Sequence, residues 1–395
     1  MNYILFGDQT RNNLLPFTFI RPIADIRVGI LTIREKWELY LNTNTSSLTE
    51  EYLRVKFPLV KKENNILING SVLPNYQLVK EIRKLKPNQT LVVGETIIAL
   101  RLKAKDIDNL DLEQAESISP LVTSSNPVII SNLWDIFSHN KQAIEDDFKL
   151  LIKKKKKQKI GSSNKVVGPK NVFIEKGATV SNSIINASEG PIYVGKDATI
   201  MDGSIVRGPM ALCNGATIKM GAKIYGNTTI GPYCKVGGEV TDTVFFGYSN
   251  KAHDGFVGHS VVGEWCNIGA NTTTSNLKNN YAPVKLWNYI ESSFVDTGLQ
   301  FCGTFFGDHS KCGINTMFNT GTVVGVNANI YGTGFIRNFI PSFSWGSVSG
   351  FTVFEIEKAV EVARKVYERR NKDFDKVEED ILRDVYDKTY NLRKI

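Results

Sequence analysis

Apolar residues recur every six positions along one stretch of the chain: Val194, Ile200, Val206, Leu212, Ile218, Ile224, Ile230 and Val236. Two residues before each of the last seven stand Ala198, Ser204, Met210, Ala216, Ala222, Thr228 and Cys234, nearly all small. A helix would space its apolar residues by three and four, and a half-buried strand by two. A period of six fits neither. It fits a parallel β-solenoid in which each flat face uses one hexapeptide and about three hexapeptides close a coil. The pattern opens at Ile174 and Val180, resumes at Phe256, Val262 and Ile268, and closes with Phe306, Cys312, Phe318, Val324, Ile330 and Ile336. This predicts about nine coils over roughly 165–345. Two breaks, at 241–252 and 274–300, interrupt it, and the second is rich in aromatics and asparagine. Long excursions from a compact repeat tend to carry function.

The first 150 residues follow another pattern. Short apolar runs at Ile66–Val72, Thr90–Val93 and Val128–Ile130 predict strands, and helical stretches are expected around Ala24–Leu41, Gln77–Lys86 and Gln142–Lys156. The chain opens on an apolar run, Asn2 to Phe6, that enters the loop Gly7-Asp8-Gln9-Thr10-Arg11. A strand leading into a glycine-started polar loop is how many α/β nucleotide sites begin, because backbone N–H groups there can face phosphates. At the other end, Ile356, Val360, Ala363 and Tyr367 draw one helical stripe, and Glu361 precedes Lys365 by four residues. A helix over Glu355–Lys394 is expected to cap the solenoid or pack an oligomer. The implied organisation is an α/β domain over 1–150, a basic linker over 151–164, a solenoid over 165–348 and a helical segment over 349–395.

The 395 residues carry a formal charge of +8. Part of that charge is the run Lys153–Lys157 with Lys159, ahead of Gly161-Ser162-Ser163, which reads as a solvated helix end and linker. Without interleaved aromatics it does not predict nucleic-acid binding. No apolar run is long enough for a membrane span, and no basic region precedes an apolar leader. A cytoplasmic location, with neither membrane nor nucleic acid as partner, is the expectation. Cys213, Cys234, Cys266, Cys302 and Cys312 lack CxxC spacing, so neither disulfides nor a metal site is expected.

After the opening loop come Leu15-Pro16-Phe17-Thr18 and Arg21-Pro22, which resemble the early motifs of sugar-phosphate nucleotidyltransferases. The glycine-rich loop is reduced to Gly-Asp-Gln-Thr-Arg, and Arg21 stands where that family usually has a lysine. The stretch Tyr248–Asn276 is more specific. Ser249-Asn250-Lys251-Ala252-His253, then Asn267-Ile268-Gly269-Ala270-Asn271, then Ser275-Asn276-Leu277 resemble three successive segments of bifunctional N-acetylglucosamine-1-phosphate uridylyltransferase/glucosamine-1-phosphate acetyltransferases. That family joins a nucleotidyltransferase domain to a left-handed β-helix acyltransferase in this order, and the chain looks like a divergent branch with a shortened first domain.

The resemblance implies a transferase of nucleotide-sugar biosynthesis that is a homotrimer, with sites between neighbouring subunits. It implies His253 as general base, Asn267 at the sugar, and Asn276 and Ala270 at coenzyme A, with acetyl-CoA as donor and an amino sugar phosphate as acceptor. Imidazole suits the task, since an amine attacking a thioester must lose a proton near neutral pH. Phe256 occupies the place of a sugar-holding tyrosine, and Thr241 that of a phosphate-binding lysine. Lys235 and Lys251 then enter as substrate-side candidates, with Lys285 and Arg207 as further substitutes. For the first domain, Gly7, Thr10, Arg11 and Arg21 are the nucleotide-side candidates, UTP and dTTP are the candidate nucleotides, and Mg²⁺ would attend any chemistry. Asp8, Asp25 and Asp135 are the acidic residues considered for it. Three alternatives stay open: nucleotidyl transfer alone, as in a glucose-1-phosphate thymidylyltransferase; a non-catalytic assembly or regulatory solenoid; and, more remotely, a trimeric zinc carbonic anhydrase-like protein using His253, His259 and His309.

Overall fold

The computed structural model describes residues 1–108, 110–111, 118–153 and 155–393. Lys154 of the basic run and Lys394 of the expected C-terminal helix lie outside the described residues. The chain forms two compact units, Met1–Ile26 with Leu31–Leu133, and Arg27–Ile30 with Trp134–Ile395. Among the described residues no helix is long and apolar enough to cross a membrane.

The first unit is built on a six-stranded mixed sheet in the order Ser46–Leu48, Asn2–Phe6, Asn64–Asn69, Thr96–Lys103, Gln89–Val93, Pro120–Val122. The first three strands are parallel and Thr96–Lys103 is antiparallel to both its neighbours. Ile4, Phe6, Leu67 and Leu100 fill one core beside it. The helix Ile33–Leu41 starts where Thr32 and Glu35 close a reciprocal capping box, and Asn75 caps Tyr76–Lys84. The expected single helix over Ala24–Leu41 is instead a 3-10 turn at Ile23–Asp25 and then this helix, because residues 27–30 leave to join the other unit. The expected strand at Val128–Ile130 reduces to one bridge between Ile129 and Val72.

The second unit is a parallel β-solenoid with three faces. One face is a six-stranded sheet continued by a three-stranded one, the second has nine strands, and the third has nine parallel strands and an antiparallel tenth. In the unbroken run each axial residue pairs with the one eighteen positions on: Ile200 with Ile218, Val206 with Ile224, Leu212 with Ile230, Ile218 with Val236. These residues are fully buried, as are Ala198, Ser204, Ala216 and Ala222 beside them. Burial of such apolar side chains is the main stabilising contribution here, about 1.5–3 kcal/mol for each large one. At the first break the coils shorten. Ile230 pairs with Phe245, and Val236 with Lys251, so a lysine takes an axial slot. At the second break Val262 pairs with Phe306. The residues between include a hairpin, Lys285–Asn288 with Ser293–Asp296, whose Trp287 stacks on Phe339 with ring centroids 4.3 Å apart.

One corner of the solenoid repeats a left-handed backbone conformation from coil to coil, at Asp197, Gly215, Tyr233, Tyr248, Trp265, His309, Asn327 and Phe343. Positive φ is ordinary for Gly, Asn and Asp and uncommon for bulky residues. Here the aromatic members stack: Tyr233 on Tyr248 at 5.1 Å and Tyr248 on Trp265 at 4.2 Å. Gly215 begins the ladder because a Cβ there would meet the Tyr233 ring at 2.6 Å.

The helix Asn140–Ile152 lies on the nine-stranded face with the Arg27–Ile30 segment. Asn140 Oδ1 accepts from the Gly29 N–H at 2.7 Å while its Nδ2 donates to the Asn227 carbonyl at 2.7 Å, and Arg27 Nε donates to the Phe246 carbonyl at 3.0 Å. Gly29 has φ 81°, and a Cβ there would meet Asp147 at 2.6 Å. The C-terminus is a helical hairpin, Ile356–Glu368 and Lys376–Lys388, and not the single helix expected. Val360, Ala363 and Tyr367 of the sequence stripe are buried. Tyr367 stacks on Trp265 at 3.9 Å, which docks the hairpin on the corner ladder. The last edge of the third face is covered by the strand Gly350–Val353, antiparallel to Ser344–Ser347.

Candidate functional site

The shortened coils create a cavity of about 600 Å³ where the third face runs into its corner. His253, Asn267, Ala270 and Lys235 line it together, with Tyr248, Asn250, Trp265, Lys311, Arg369 and Arg370 among their neighbours. Four of the residues singled out in the sequence therefore meet in one place. Their assembly follows from the ladder: Lys235, Asn250 and Asn267 occupy the same position on successive rungs, and Lys311 follows Asn267 on the next.

His253 is exposed on the turn that leaves the third face. Among the described residues its imidazole makes no hydrogen bond or ion pair, so neither ring nitrogen is claimed within the chain. The turn itself is held from below. Lys251, whose side chain is 1% exposed, donates from Nζ to the carbonyls of both His253 and Asp254, the latter at 2.9 Å. Burial pushes the Lys251 ammonium down to about 8, against the opposing pull of Asp254. Lys251 does not line the cavity; it is a support beneath the histidine turn.

Asn267 Oδ1 accepts from Asn250 Nδ2 at 3.4 Å, and Asn250 Oδ1 in turn accepts from Arg370 at 2.9 Å. The same guanidinium donates to the Tyr233 carbonyl at 3.2 Å. Lys311 donates to the His309 carbonyl at 2.7 Å, and burial pushes its ammonium down to about 8. Lys235 is lowered from its ordinary value by burial and by the neighbouring charges of Arg370, Lys219 and Arg369. Gly269 lets the coils close here, since a Cβ would meet Gly313 at 2.4 Å. Among the described residues the Ala270 N–H meets no acceptor while its carbonyl accepts from Asn315.

Phe256 and Asn276 are not among the residues lining this cavity. A Cβ on Gly258 would touch Phe256, Asn276 and Thr241, which places those three side by side around that glycine, on the neighbouring face. Asn276 Nδ2 lies 3.0 Å from His259 Nδ1, and His259 Nε2 lies 3.9 Å from Asp242. Burial lowers the His259 pKa, with Asp242 acting against that shift. His259 and His309 are not assembled with His253 into a metal centre: no group of three or more His, Cys, Asp or Glu able to hold an ion occurs among the described residues.

The first unit has its own cavity of about 470 Å³, lined by Gly7, Asp8, Thr10, Arg11, Glu50 and Glu95 among others. Arg11 pairs with Glu50 at 2.7 Å and donates to the Thr18 carbonyl and the Tyr52 hydroxyl. Asp8 accepts from the Thr10 N–H at 2.9 Å and from Asn69 Nδ2 at 2.7 Å. Arg21 is buried, donates to the Phe17 carbonyl at 3.1 Å and is not among the lining residues. Asp25 is tied to Arg34 at 2.7 Å, and Asp135 begins a short helix in the second unit. Glu50 and Glu95 were not singled out in the sequence. They follow unremarkable residues, and only the sheet order brings them to the Gly7 loop.

Residues 3–156 match the family described as sugar nucleotidyl transferase. A bifunctional protein GlmU of Methanocaldococcus jannaschii is 33% identical over 120 residues, which are 30% of this chain and 26% of that protein. A bifunctional sugar-1-phosphate nucleotidylyltransferase/acetyltransferase of Sulfurisphaera tokodaii is 33% identical over 93 residues, 24% of this chain and 23% of its own length. GlmU of Synechococcus elongatus is 22% identical over a longer stretch, 58% of this chain and 52% of that protein. The chain thus spans between about a quarter and about half of the relatives it matches. Among solved structures, the N-acyltransferase AntD of Bacillus cereus aligns with 52% of this chain and 91% of its own, at 13% identity and a TM-score of 0.23. Residues 3–156 thus carry a sugar nucleotidyl transferase match, and stretches of the chain are similar to bifunctional GlmU proteins.

Proposed function

We propose that the solenoid unit transfers an acetyl group from acetyl-CoA to the amine of an amino sugar phosphate, with His253 as general base. The observation that carries this reading is the meeting of His253, Asn267, Ala270 and Lys235 around one cavity. The amine nitrogen attacks the thioester carbonyl and its proton passes to the His253 imidazole. The C–S bond then breaks, and the coenzyme A thiolate recovers the proton from the imidazolium. The unengaged Ala270 N–H would face the oxyanion, a contribution that is large when a donor is fixed in advance. Asn267, steadied by Asn250, would hold a sugar hydroxyl. Phe256 cannot donate a hydrogen bond, so the acceptor is held differently from that of the resembling enzymes.

For the first unit the proposal is nucleotidyl transfer from UTP or dTTP to a sugar 1-phosphate. Its cavity holds three carboxylates, Asp8, Glu50 and Glu95, and one guanidinium, Arg11. Phosphates would need added positive charge there. Among the described residues Glu95 is the lining carboxylate with neither ion pair nor hydrogen bond. Mg²⁺ is commonly held by one or two carboxylates together with substrate phosphates; Glu95 with Asp8 would hold it, and it would neutralise the triphosphate. A homotrimer and a cytoplasmic setting complete the reading.

An acetylation screen over amino sugar phosphates, with wild type and His253→Ala side by side, tests the solenoid assignment. Transfer by the wild type and its loss in the variant are expected; equal rates would remove His253 from the mechanism. Pyrophosphate release, measured with Mg²⁺ and each pairing of UTP or dTTP with a sugar 1-phosphate, tests the first unit. Release abolished by Glu95→Gln is expected, and no release from any pairing would leave that unit without this activity.

A further inference from the structure

Nine lysines and one glutamate lie between residues 153 and 180, a formal +8 that equals the charge of the whole chain. Of 48 basic and 40 acidic side chains in all, 39 of each remain elsewhere, so the rest of the molecule is balanced. The sequence reads the lysine run as a helix end and linker, but the chain uses it to close one end of the solenoid. Lys165–Val167, Val172–Ile174 and Thr179–Val180 are the outermost strands of the three faces there. The segment after Ile152 crosses this first coil. The Gln158 N–H donates to the Ile174 carbonyl at 2.7 Å, its side chain donates to the Ala178 carbonyl at 2.9 Å and accepts from the Gly177 N–H at 3.1 Å, and Ile160 packs on the axial core. Lys157 donates to the Pro169 carbonyl at 3.0 Å, which sets the crossing segment beside Lys170 as Gly177 sets it beside Lys176. Lys153, Lys156, Lys157, Lys159, Lys165, Lys170 and Lys176 are all exposed. The one acid of the stretch, Glu175, is taken by Lys155 at 2.5 Å and by the Tyr193 hydroxyl. The next acids, Glu189 and Asp197, stand beside cations of their own, Arg207 at 3.1 Å and Lys196 at 4.0 Å.

We infer that this end of the solenoid is a docking surface for an anionic lipid bilayer. Like charges gathered this closely repel one another, and a negative surface relieves that repulsion. The chemistry of the cations selects the partner. All are lysines, compact charges on flexible stems, without the planar fork that meets a phosphate in pairs. Phe173 is the one aromatic residue between 153 and 180, and it is buried, so no ring is offered for a nucleic-acid base to stack on. A bilayer with acidic headgroups needs neither feature. A cluster of lysines held within a Debye length of its surface suffices. Among the described residues of the stretch, Val167 is the one large apolar side chain exposed, too little to insert, so the association is electrostatic and reversible. It also leaves the candidate site clear. Asn250–Lys251, which leads into His253, is the fifth strand of the third face from this end. At the spacing of paired strands that is about 20 Å from the charged coil, beyond the reach of its screened charges.

The test is flotation of the full chain with vesicles of phosphatidylcholine alone and of phosphatidylcholine with phosphatidylglycerol at about three to one. A parallel titration uses duplex DNA and single-stranded RNA. Wild type is expected to float with the acidic vesicles and not with the neutral ones, and to be released when salt rises from about 0.05 M to about 0.5 M. Lys156→Gln/Lys159→Gln/Lys176→Gln should weaken the partitioning by about a hundredfold, the summed effect of three lysines at an anionic surface. Lys84→Gln/Lys86→Gln/Lys105→Gln changes three exposed lysines of the first unit and lowers the net charge equally; it should float like wild type. The headgroup and salt arms use the unaltered chain, so the inference stays open to refutation if a variant misfolds. It is overturned if wild type ignores acidic vesicles at low salt, binds neutral ones as well, or stays bound at high salt. It is equally overturned if the first-unit variant weakens binding as much as the coil variant. Tighter binding to either nucleic acid than to the acidic vesicles would give the surface to that partner instead.

Discussion

Two stretches of the same solenoid make a natural experiment. From Val194 to Val236 the pairing register holds at eighteen residues, every axial slot is aliphatic, and the apolar residues fall into one continuous core. From Ile224 onward the register shortens: Ile224 meets Val240, Ile230 meets Phe245 and Val236 meets Lys251, and the cavity holding His253 opens beside the irregular coils. The regular coils spend their side chains on burial. The irregular ones place a lysine in the axis, use it to hold two carbonyls, and present an imidazole with no hydrogen-bond or ion-pair partner among the described residues. A repeat makes a scaffold by being monotonous; this one makes a site where the monotony fails.

That contrast is sharpest when one residue is changed on each side of it. His253→Ala should lower acetyl transfer by roughly 10²–10⁴-fold, the usual worth of a positioned general base, while the midpoint of thermal unfolding stays close to wild type. Ile218→Ala, in a fully buried axial slot of the regular run, should do the reverse. It should cost about 2–5 kcal/mol of stability through lost burial and the cavity left behind, with turnover per folded molecule preserved at low temperature. Unfolding curves and single-temperature rates on both variants decide it. If Ile218→Ala abolishes turnover while folded, or His253→Ala unfolds the protein, the division between scaffold and site is wrong.

The division also explains what could be read from the sequence. A strict period of six exposes the axis because each aliphatic residue answers the same steric demand on every coil. His253, Asn267 and Ala270 were legible because they sit in short contiguous segments. Lys251 was not: its axial role depends on the coil losing residues at the corner, a change of register that no local pattern reveals. The aromatic corner was hidden for a different reason, since Tyr233, Tyr248 and Trp265 take a backbone conformation that such residues rarely adopt. Arg369 and Arg370 reach the cavity only through the docking of a distant helix. In the first unit the motif order suggested Arg21, but the chain buries it against the Phe17 carbonyl, whereas Glu95 arrives from the turn between Gln89–Val93 and Thr96–Lys103, far along the sequence.

The smallest expected effect tests the axial lysine. In the folded protein Lys251 and Lys311 are both depressed to about 8 from an ordinary 10.5, chiefly by burial. Between those values the unfolded chain binds more protons than the folded one, so stability rises with pH across that window. Below pH 8 both states are protonated and the cost of burying the two charges is present in full. The buried thiols act oppositely. Cys234, for example, is pushed up to about 12 from 9.0, so above pH 9 the folded state holds protons the unfolded state has lost. The interval from pH 8 to 9 therefore isolates the lysines, and there denaturant midpoints should climb with pH. Lys251→Met should reduce that slope, and Lys251→Met/Lys311→Met should flatten it. Lys251→Met should also slow acetyl transfer by about tenfold, because the His253 and Asp254 carbonyls lose the donor that fixes their turn and a small misplacement of a catalytic group is costly. An unchanged slope with an unchanged rate would mean that the lysine is only filler in the axis. A flattened slope with a wild-type rate would mean that the turn holds His253 without it.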